Sequence, residues 1–214
     1  MTAARSTFSG AISFGASAFG LLMLSPIIVL LALAVLLGSG RPILFRQRRV
    51  GRNGRPFDLL KFRTMRNGLR GKPITAGGDG RVTRVGRVLR RYKLDELPQL
   101  WNVVRGEMSL VGPRPEIPEL VDLDDPMWRA VLEVRPGITD LATLIYRNEE
   151  EILAAAENPE RYYRAVVLPA KLRLNLEYLA VRSWRTDLKI VLLSVWYSLR
   201  PAAFDGARVR ELLT

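Results

Sequence analysis

The chain has 214 residues, of which 48% are hydrophobic and 25% charged, too balanced for a disordered or wholly membrane-embedded protein. It contains neither Cys nor His, which excludes disulfides, thiolate nucleophiles, Cys/His zinc sites and His-based triads. A net charge of +12 points to an anionic partner such as phosphates, an acidic lipid surface or nucleic acid.

The charge is unevenly spread. Residues 6–40 carry no charged side chain, and 41–72 then carry eleven Lys/Arg against one acid, Asp58. An uncharged block followed by a basic one reads as a membrane segment with its cytoplasmic flank. Its apolar core, 19–37, is long enough to cross a bilayer as a helix and too long for a cleaved signal peptide. Ser25-Pro26 lies in the middle. Pro26 has no N–H, so the Leu22 carbonyl loses its helical partner and needs a local donor, for which the Ser25 hydroxyl is placed. The segment is then either a kinked span or a helix turned back on itself with both ends on the cytoplasmic face. The charge pattern alone does not choose.

Residues 41–68 read as strand, turn and strand, with Gly51-Arg52-Asn53-Gly54 supplying the turn, and glycine-rich 69–80 as a loop. A basic amphipathic helix is expected over 81–93, suited to an anionic membrane surface. A second helix is expected to start at Asp95-Glu96 and stop at Gly106, with Pro98 in its first turn. Pro113-Arg114-Pro115 is an extended loop and Pro136-Gly137 a turn. Helices are expected over 127–135, 147–157 and 159–182. Residues 187–199 are apolar on one side, with Trp184 and Trp196 as interface anchors. The fold class is therefore α-dominated α+β with little strand.

The chemistry concentrates in Lys93-Leu94-Asp95-Glu96-Leu97-Pro98-Gln99-Leu100-Trp101-Asn102-Val103-Val104-Arg105-Gly106-Glu107-Met108-Ser109-Leu110-Val111-Gly112-Pro113-Arg114-Pro115-Glu116. A carboxylate pair placed at a helix N-terminus sits there among Arg90, Arg91 and Lys93. Such surroundings suit both carboxylates and phosphates. A Mg²⁺ ion would let a carboxylate approach a diphosphate without like-charge repulsion. Taken alone, Asp95-Glu96 is better explained by helix capping, and Gly112-Pro113-Arg114-Pro115 by a rigid loop.

The window closely resembles the signature of the bacterial sugar transferases, monotopic phosphoglycosyl transferases that begin assembly of membrane-linked glycans. Shorter matches follow the same order: Ser25-Pro26, Gln47-Arg48 with Val50-Gly51, Pro56-Phe57, Lys61-Phe62-Arg63-Thr64-Met65, Thr83-Arg84-Val85-Gly86, Arg135-Pro136-Gly137-Ile138-Thr139 and Asp187-Leu188-Lys189-Ile190. The resemblance covers nearly the whole chain. It implies a small member with a re-entrant membrane helix in 1–40, broken at Ser25-Pro26, and a compact cytoplasmic catalytic domain in 41–214 with interfacial helices.

The resemblance also implies the reaction: transfer of sugar-1-phosphate from a UDP-sugar to undecaprenyl phosphate with release of UMP, by a ping-pong route. Asp95 matches the nucleophile, a role open to carboxylates. Glu96 matches its acidic partner, and the two together match the site of Mg²⁺, with Mn²⁺ also open. Arg90, Arg114 and Lys61 match phosphate-binding positions. Asp187 and Arg147 are carried as site support, with helix N-capping the alternative for Asp187, and Ser25 and Pro26 as topology residues. The implied location is the bacterial inner membrane, the catalytic domain on the cytoplasmic face against anionic phospholipid; a homodimer is left open. Asp140 and Thr143 stand where many members have Gly and Gln, in a region expected to touch nucleotide or sugar.

Two other functions compete with this one. A non-enzymatic basic membrane-anchored binder leaves the ordered motifs unexplained, and scattered aromatics argue against nucleic acid as partner. An inactive relative acting in assembly is disfavoured by the intact Asp95, Glu96, Arg90 and Arg114.

Overall fold

The computed structural model of the protein describes residues 2–66 and 77–213, with side chains over 10–66 and 77–211. The expected loop at 69–80 therefore falls mostly outside the described residues; Gly77 and Gly78 at its end form a turn. Helix α1 spans Thr2–Ser39 and contains Pro26. Within it, Gly10–Ser39 contains an 18-residue window with a mean hydropathy of 2.8, is mostly unburied, and is long and apolar enough to cross a membrane. The helical assignment runs through Ser25-Pro26 without interruption. The Ser25 hydroxyl donates to the Leu22 carbonyl at 2.8 Å, which supplies the partner that Pro26 cannot.

Two stretches of α1 rest on the rest of the protein. Ser13 and Ser17 are buried in its first half, while Ile28, Leu31, Ala32 and Val35 pack with Phe62 and Leu89 in its second. These last four recur at helical spacing, so one stripe meets the core. Gly10 lies against Arg135, Gly20 against Leu100 and Gly38 against Val85. Both ends of the apolar helix thus touch the same folded unit.

Strands β1 (Leu44–Val50) and β2 (Pro56–Phe62) form the expected antiparallel hairpin, paired from Leu44 with Phe62 to Val50 with Pro56. A short 3-10 turn at Arg52–Gly54 closes it, with Asn53 and Gly54 at positive φ. Helix α2 (Arg84–Arg91) is shorter than the basic stretch predicts, because Thr83 caps it by accepting from Gly86 N. Gly86 sits against the Thr64 backbone so closely that a Cβ would fall 2.1 Å from Thr64 O. Only glycine fits, and α2 is thereby seated on the chain leaving β2.

Helix α3 is Gln99–Val104, and Gly106 at φ +75 ends it as expected. Two three-residue strands, β3 (Ser109–Val111) and β4 (Gly137–Thr139), pair in parallel. Gly137 is therefore a strand residue rather than part of a turn. A Cβ there would lie 2.1 Å from Gly112 N, so the pairing requires glycine at this crossing.

The remainder is helical: α4 (Pro126–Leu132), α5 (Leu141–Ile145), α6 (Glu149–Ala154), α7 (Pro159–Tyr162), α8 (Leu168–Val181), α9 (Trp184–Leu199) and α10 (Gly206–Leu213). A π turn, Tyr163–Val167, joins α7 to α8 where one continuous helix is expected. One core gathers Trp128, Tyr163, Val167 and Leu172; a second gathers Leu144, Tyr178, Ile190, Tyr197 and Val209. Helix α9 leaves Leu188, Leu192 and Val195 exposed between Trp184 and Trp196, and Leu199 exposed just beyond. The Arg185 and Arg200 guanidinium groups lie over the two indoles at 5.4 and 4.3 Å.

Candidate active site

Asp95 and Glu96 occupy a 3-10 turn, Leu94–Glu96, entered through Lys93 at φ +56. This corrects the expected helix start: α3 begins three residues later and is only six residues long. The Glu96 carboxylate is therefore compensated by side chains from other elements rather than by a helix terminus.

Glu96 is locked. Arg114 grips it with both arms, NH2 to Oε1 at 2.6 Å and NH1 to Oε2 at 3.2 Å. Lys61, near the end of β2, adds its Nζ at 3.3 Å from Oε1. Burial alone would raise the Glu96 carboxyl, but Arg114 and Lys61 outweigh it and hold the group well below the usual carboxylate range. Burial likewise works against the Arg114 charge, and Glu96 more than offsets it. Burial draws the Lys61 ammonium down to about 8, with Glu96 opposing.

Asp95 differs. It is buried, and its Oδ1 has no hydrogen-bond partner among the described residues. Burial pushes its carboxyl up, the neighbouring Glu96 pushes the same way, and Lys61, Lys93 and Arg90 pull against them. A buried polar atom without a partner is costly in a folded protein and clusters at working sites. Two adjacent carboxylates thus differ: Glu96 accepts from Arg114 and Lys61, while Asp95 keeps an oxygen unengaged.

Arg90 is brought to the same region from α2. Its Nε donates to Thr64 Oγ1 at 2.9 Å and its NH1 to Glu150 Oε1 at 2.9 Å. Arg147, after α5, donates to the Arg91 carbonyl at 3.4 Å. Burial lowers its guanidinium, and the Glu96 charge partly restores it. Lys61 and Arg114 contact Glu96 directly, while Arg90 and Arg147 act on the carboxylate pair through their charge.

Asp187 lies in the first turn of α9, where Ser183 is the N-cap, so the capping alternative does not describe it. It accepts from the Tyr178 hydroxyl at 2.5 Å and pairs with Arg182 at 3.4 Å. Arg182 in turn donates to the Val111 carbonyl at 3.1 Å, at the end of β3. Asp187 therefore braces the strand that leads to Arg114.

Asp140 also takes a role other than the one expected. It is fully buried; its Oδ2 accepts from Arg114 N at 2.8 Å, and its Oδ1 caps α5 through Thr143 N. It holds the Arg114 loop rather than reaching outward for a ligand.

A clamp absent from the sequence reading holds the other end of this loop. Arg49 NH1 donates to Pro115 O at 3.0 Å and to Glu116 Oε2 at 3.2 Å, and the Tyr163 hydroxyl donates to Glu116 Oε1 at 2.5 Å. Burial and Glu116 together raise the Tyr163 hydroxyl. The available signal was strand alternation, which puts Arg49 on the same face as Gln47, whose Oε1 it grips at 2.8 Å.

Among the described residues no cluster of three or more acidic, His or Cys side chains could cage a metal. Mg²⁺ needs no cage, since one or two carboxylates and substrate phosphates suffice alongside water. The bare Asp95 carboxylate fits that requirement. Glu96 fits it less well, because Arg114 and Lys61 occupy most of its acceptor sites.

Residues 4–201 match the model of the bacterial sugar transferase family, and the chain belongs to that family. It is 40% identical over 178 residues to a UDP-glucose:undecaprenyl-phosphate glucose-1-phosphate transferase of Caulobacter vibrioides, covering 81% of this chain and 62% of that protein. The protein of the same name in Escherichia coli is 38% identical, over 82% of this chain and 37% of its own length. An uncharacterized sugar transferase of Bacillus subtilis, EpsL, is 37% identical over 84% of this chain and 81% of its own. The chain thus spans less than two thirds of the two transferases named for glucose.

Proposed function

We propose that the protein is a phosphoglycosyl transferase, moving sugar-1-phosphate from a UDP-sugar to a polyprenol phosphate of the undecaprenyl type and releasing UMP. The observation that carries this reading is the bare, buried Asp95 carboxylate beside a Glu96 saturated by Arg114 and Lys61. A nucleophile must keep an unengaged oxygen, and a diphosphate must meet cations; the site offers both. The family and the named relatives support the substrate class.

In the first half-reaction an Asp95 oxygen bonds to the β-phosphorus. The bond from that phosphorus to the bridging oxygen breaks, and UMP leaves with the electron pair. In the second, a phosphate oxygen of the acceptor attacks the same phosphorus and frees the Asp95 carboxylate. Arg114, Arg90, Arg147 and Lys61 supply the positive rim that holds the phosphates, and Glu96 keeps Arg114 and Lys61 in place. Mg²⁺, or Mn²⁺, bound at Asp95 with Glu96 as its lesser ligand would supply charge neutralisation at the diphosphate.

The same reading places α1 in the cytoplasmic leaflet of the bacterial inner membrane as a re-entrant helix, with 41–214 as a cytoplasmic catalytic domain. A straight crossing would put Gly10 about 40 Å from Gly38, on the far side of the hydrocarbon layer. Contacts of both ends with one folded unit favour a return to the same face. The exposed stripe of α9, flanked by Trp184 and Trp196, suits the lipid interface.

The test is UMP release from a panel of UDP-sugars with undecaprenyl phosphate and Mg²⁺. Release from one donor, lost in Asp95→Asn, supports the reading; oligonucleotide binding with no turnover would favour the non-enzymatic basic binder. For topology, Thr2→Cys and Arg55→Cys should react with an impermeant maleimide from the same side; opposite sides would reject the re-entrant helix.

A further inference from the structure

Arg63 is buried at 4% exposure, and among the described residues its partners are backbone carbonyls with no carboxylate. Its NH1 donates to Arg41 O at 2.9 Å, and its NH2 to Gly40 O at 2.7 Å and to Ser39 O. These carbonyls lie at and just beyond the last turn of α1, which has no basic residue of its own. A helix C-terminus leaves carbonyls unpaired and carries partial negative charge, so a buried guanidinium is satisfied there without an acid. Deleting it strands both the carbonyls and the helix end.

The segment bearing Arg63 also carries the site. Lys61 reaches Glu96, Phe62 packs under Val35 of α1, and Thr64 accepts from Arg90 through its side chain and from Thr83 N through its carbonyl at 2.9 Å. Four consecutive residues thus touch α1, the carboxylate pair and α2.

We propose that Arg63 is a positioning residue that fixes the end of the apolar helix to the segment that presents Lys61 and, through Thr64, holds Arg90, so that the seat of α1 sets the catalytic geometry. The role in catalysis rests on the transferase reading; the mechanical role does not. Displacing site groups by about an ångström can cost roughly a hundredfold in rate.

The experiment uses the full chain in nanodiscs. The absence of native Cys allows spin labels at Leu37→Cys, on the exposed flank of α1, and Arg55→Cys, on the hairpin turn. A single narrow distance is expected with Arg63, and a broadened or shifted one in Arg63→Met. Turnover of Arg63→Met should fall about tenfold or more while donor KM stays within about twofold, since phosphate-binding groups are retained. Arg63→Lys keeps the charge without the fork, and should recover part of both readouts; it also serves if Arg63→Met does not fold. An unchanged distance distribution in the folded variants, or an unchanged kcat, would overturn the proposal. Absence of UMP from the unsubstituted protein would instead count against the transferase reading, and the distances would still decide the clamp.

Discussion

Arg114 and Glu96 form a forked ion pair, with contacts of 2.6 and 3.2 Å, which joins the loop after β3 to the turn that carries Asp95. Its consequence is chemical as well as structural. Glu96 has its charge answered, so the cations nearby are oriented while Asp95 stays unengaged.

Breaking this fork should cost turnover more than substrate binding. Glu96→Gln is expected to lower kcat by about a hundredfold, because Arg114 and Lys61 lose the charge that aims them. Arg114→Lys should also be impaired, since an ammonium cannot reproduce two parallel contacts. Steady-state rates with saturating donor check both; a Glu96→Gln enzyme at the normal rate would reduce Glu96 to a structural role.

The site predicts a bell-shaped dependence of kcat/KM on pH. Asp95 must be ionised to attack, and burial with Glu96 beside it raises its carboxyl, so the acid limb should lie above the usual carboxylate range. Lys61 is charged only below its lowered value of about 8, so activity should fall as pH rises through that value. Lys61→Arg should keep activity further into alkali, because guanidinium stays charged. An alkaline limb that does not move would assign it to another group.

Much of this was legible in the residues. The absence of Cys and His directs attention to carboxylates, the uncharged block marks α1, and Pro26 with Ser25 foretells the hydroxyl bond to Leu22. Lys61 and Arg114 contact Glu96, and Arg90 and Arg147 lie close enough for their charge to be felt at the pair. Less legible was what depends on distant partners. Strand β4 is three residues long and exists because Gly137 can press against Gly112, which no local pattern reports. Asp95-Glu96 has helix-start composition, yet Lys93 at positive φ turns the chain first. Asp140 is a fully buried residue whose partner, Arg114 N, is 26 residues away, and Asp187 is held by the Tyr178 hydroxyl and Arg182; neither brace shows in the local sequence.

Asp140→Ala should lower both stability and activity. It removes the α5 cap and the acceptor for Arg114 N, a loss of about 2 kcal/mol. Thermal unfolding and kcat should fall together. Asp140→Asn keeps an acceptor oxygen and should sit between; an unchanged melting temperature in Asp140→Ala would contradict the bracing role.

Chelation should abolish turnover, and Mg²⁺ should restore it, since Asp95 is the available oxygen ligand and the diphosphate supplies others. The Mg²⁺ concentration needed for half-maximal rate should rise far more in Asp95→Asn than in Glu96→Gln, measured by any residual turnover or by direct metal titration. Equal shifts would make Glu96 an equal ligand.

The most direct test of the central claim is a single-turnover experiment without acceptor. Purified protein is mixed with its UDP-sugar and Mg²⁺, UMP is counted against enzyme, and the peptide bearing Asp95 is weighed. The account predicts a burst approaching one UMP per active site, a sugar-phosphate adduct on that peptide, and loss of both in Asp95→Asn. UMP that forms only once polyprenol phosphate is added, with the peptide never modified, would contradict it.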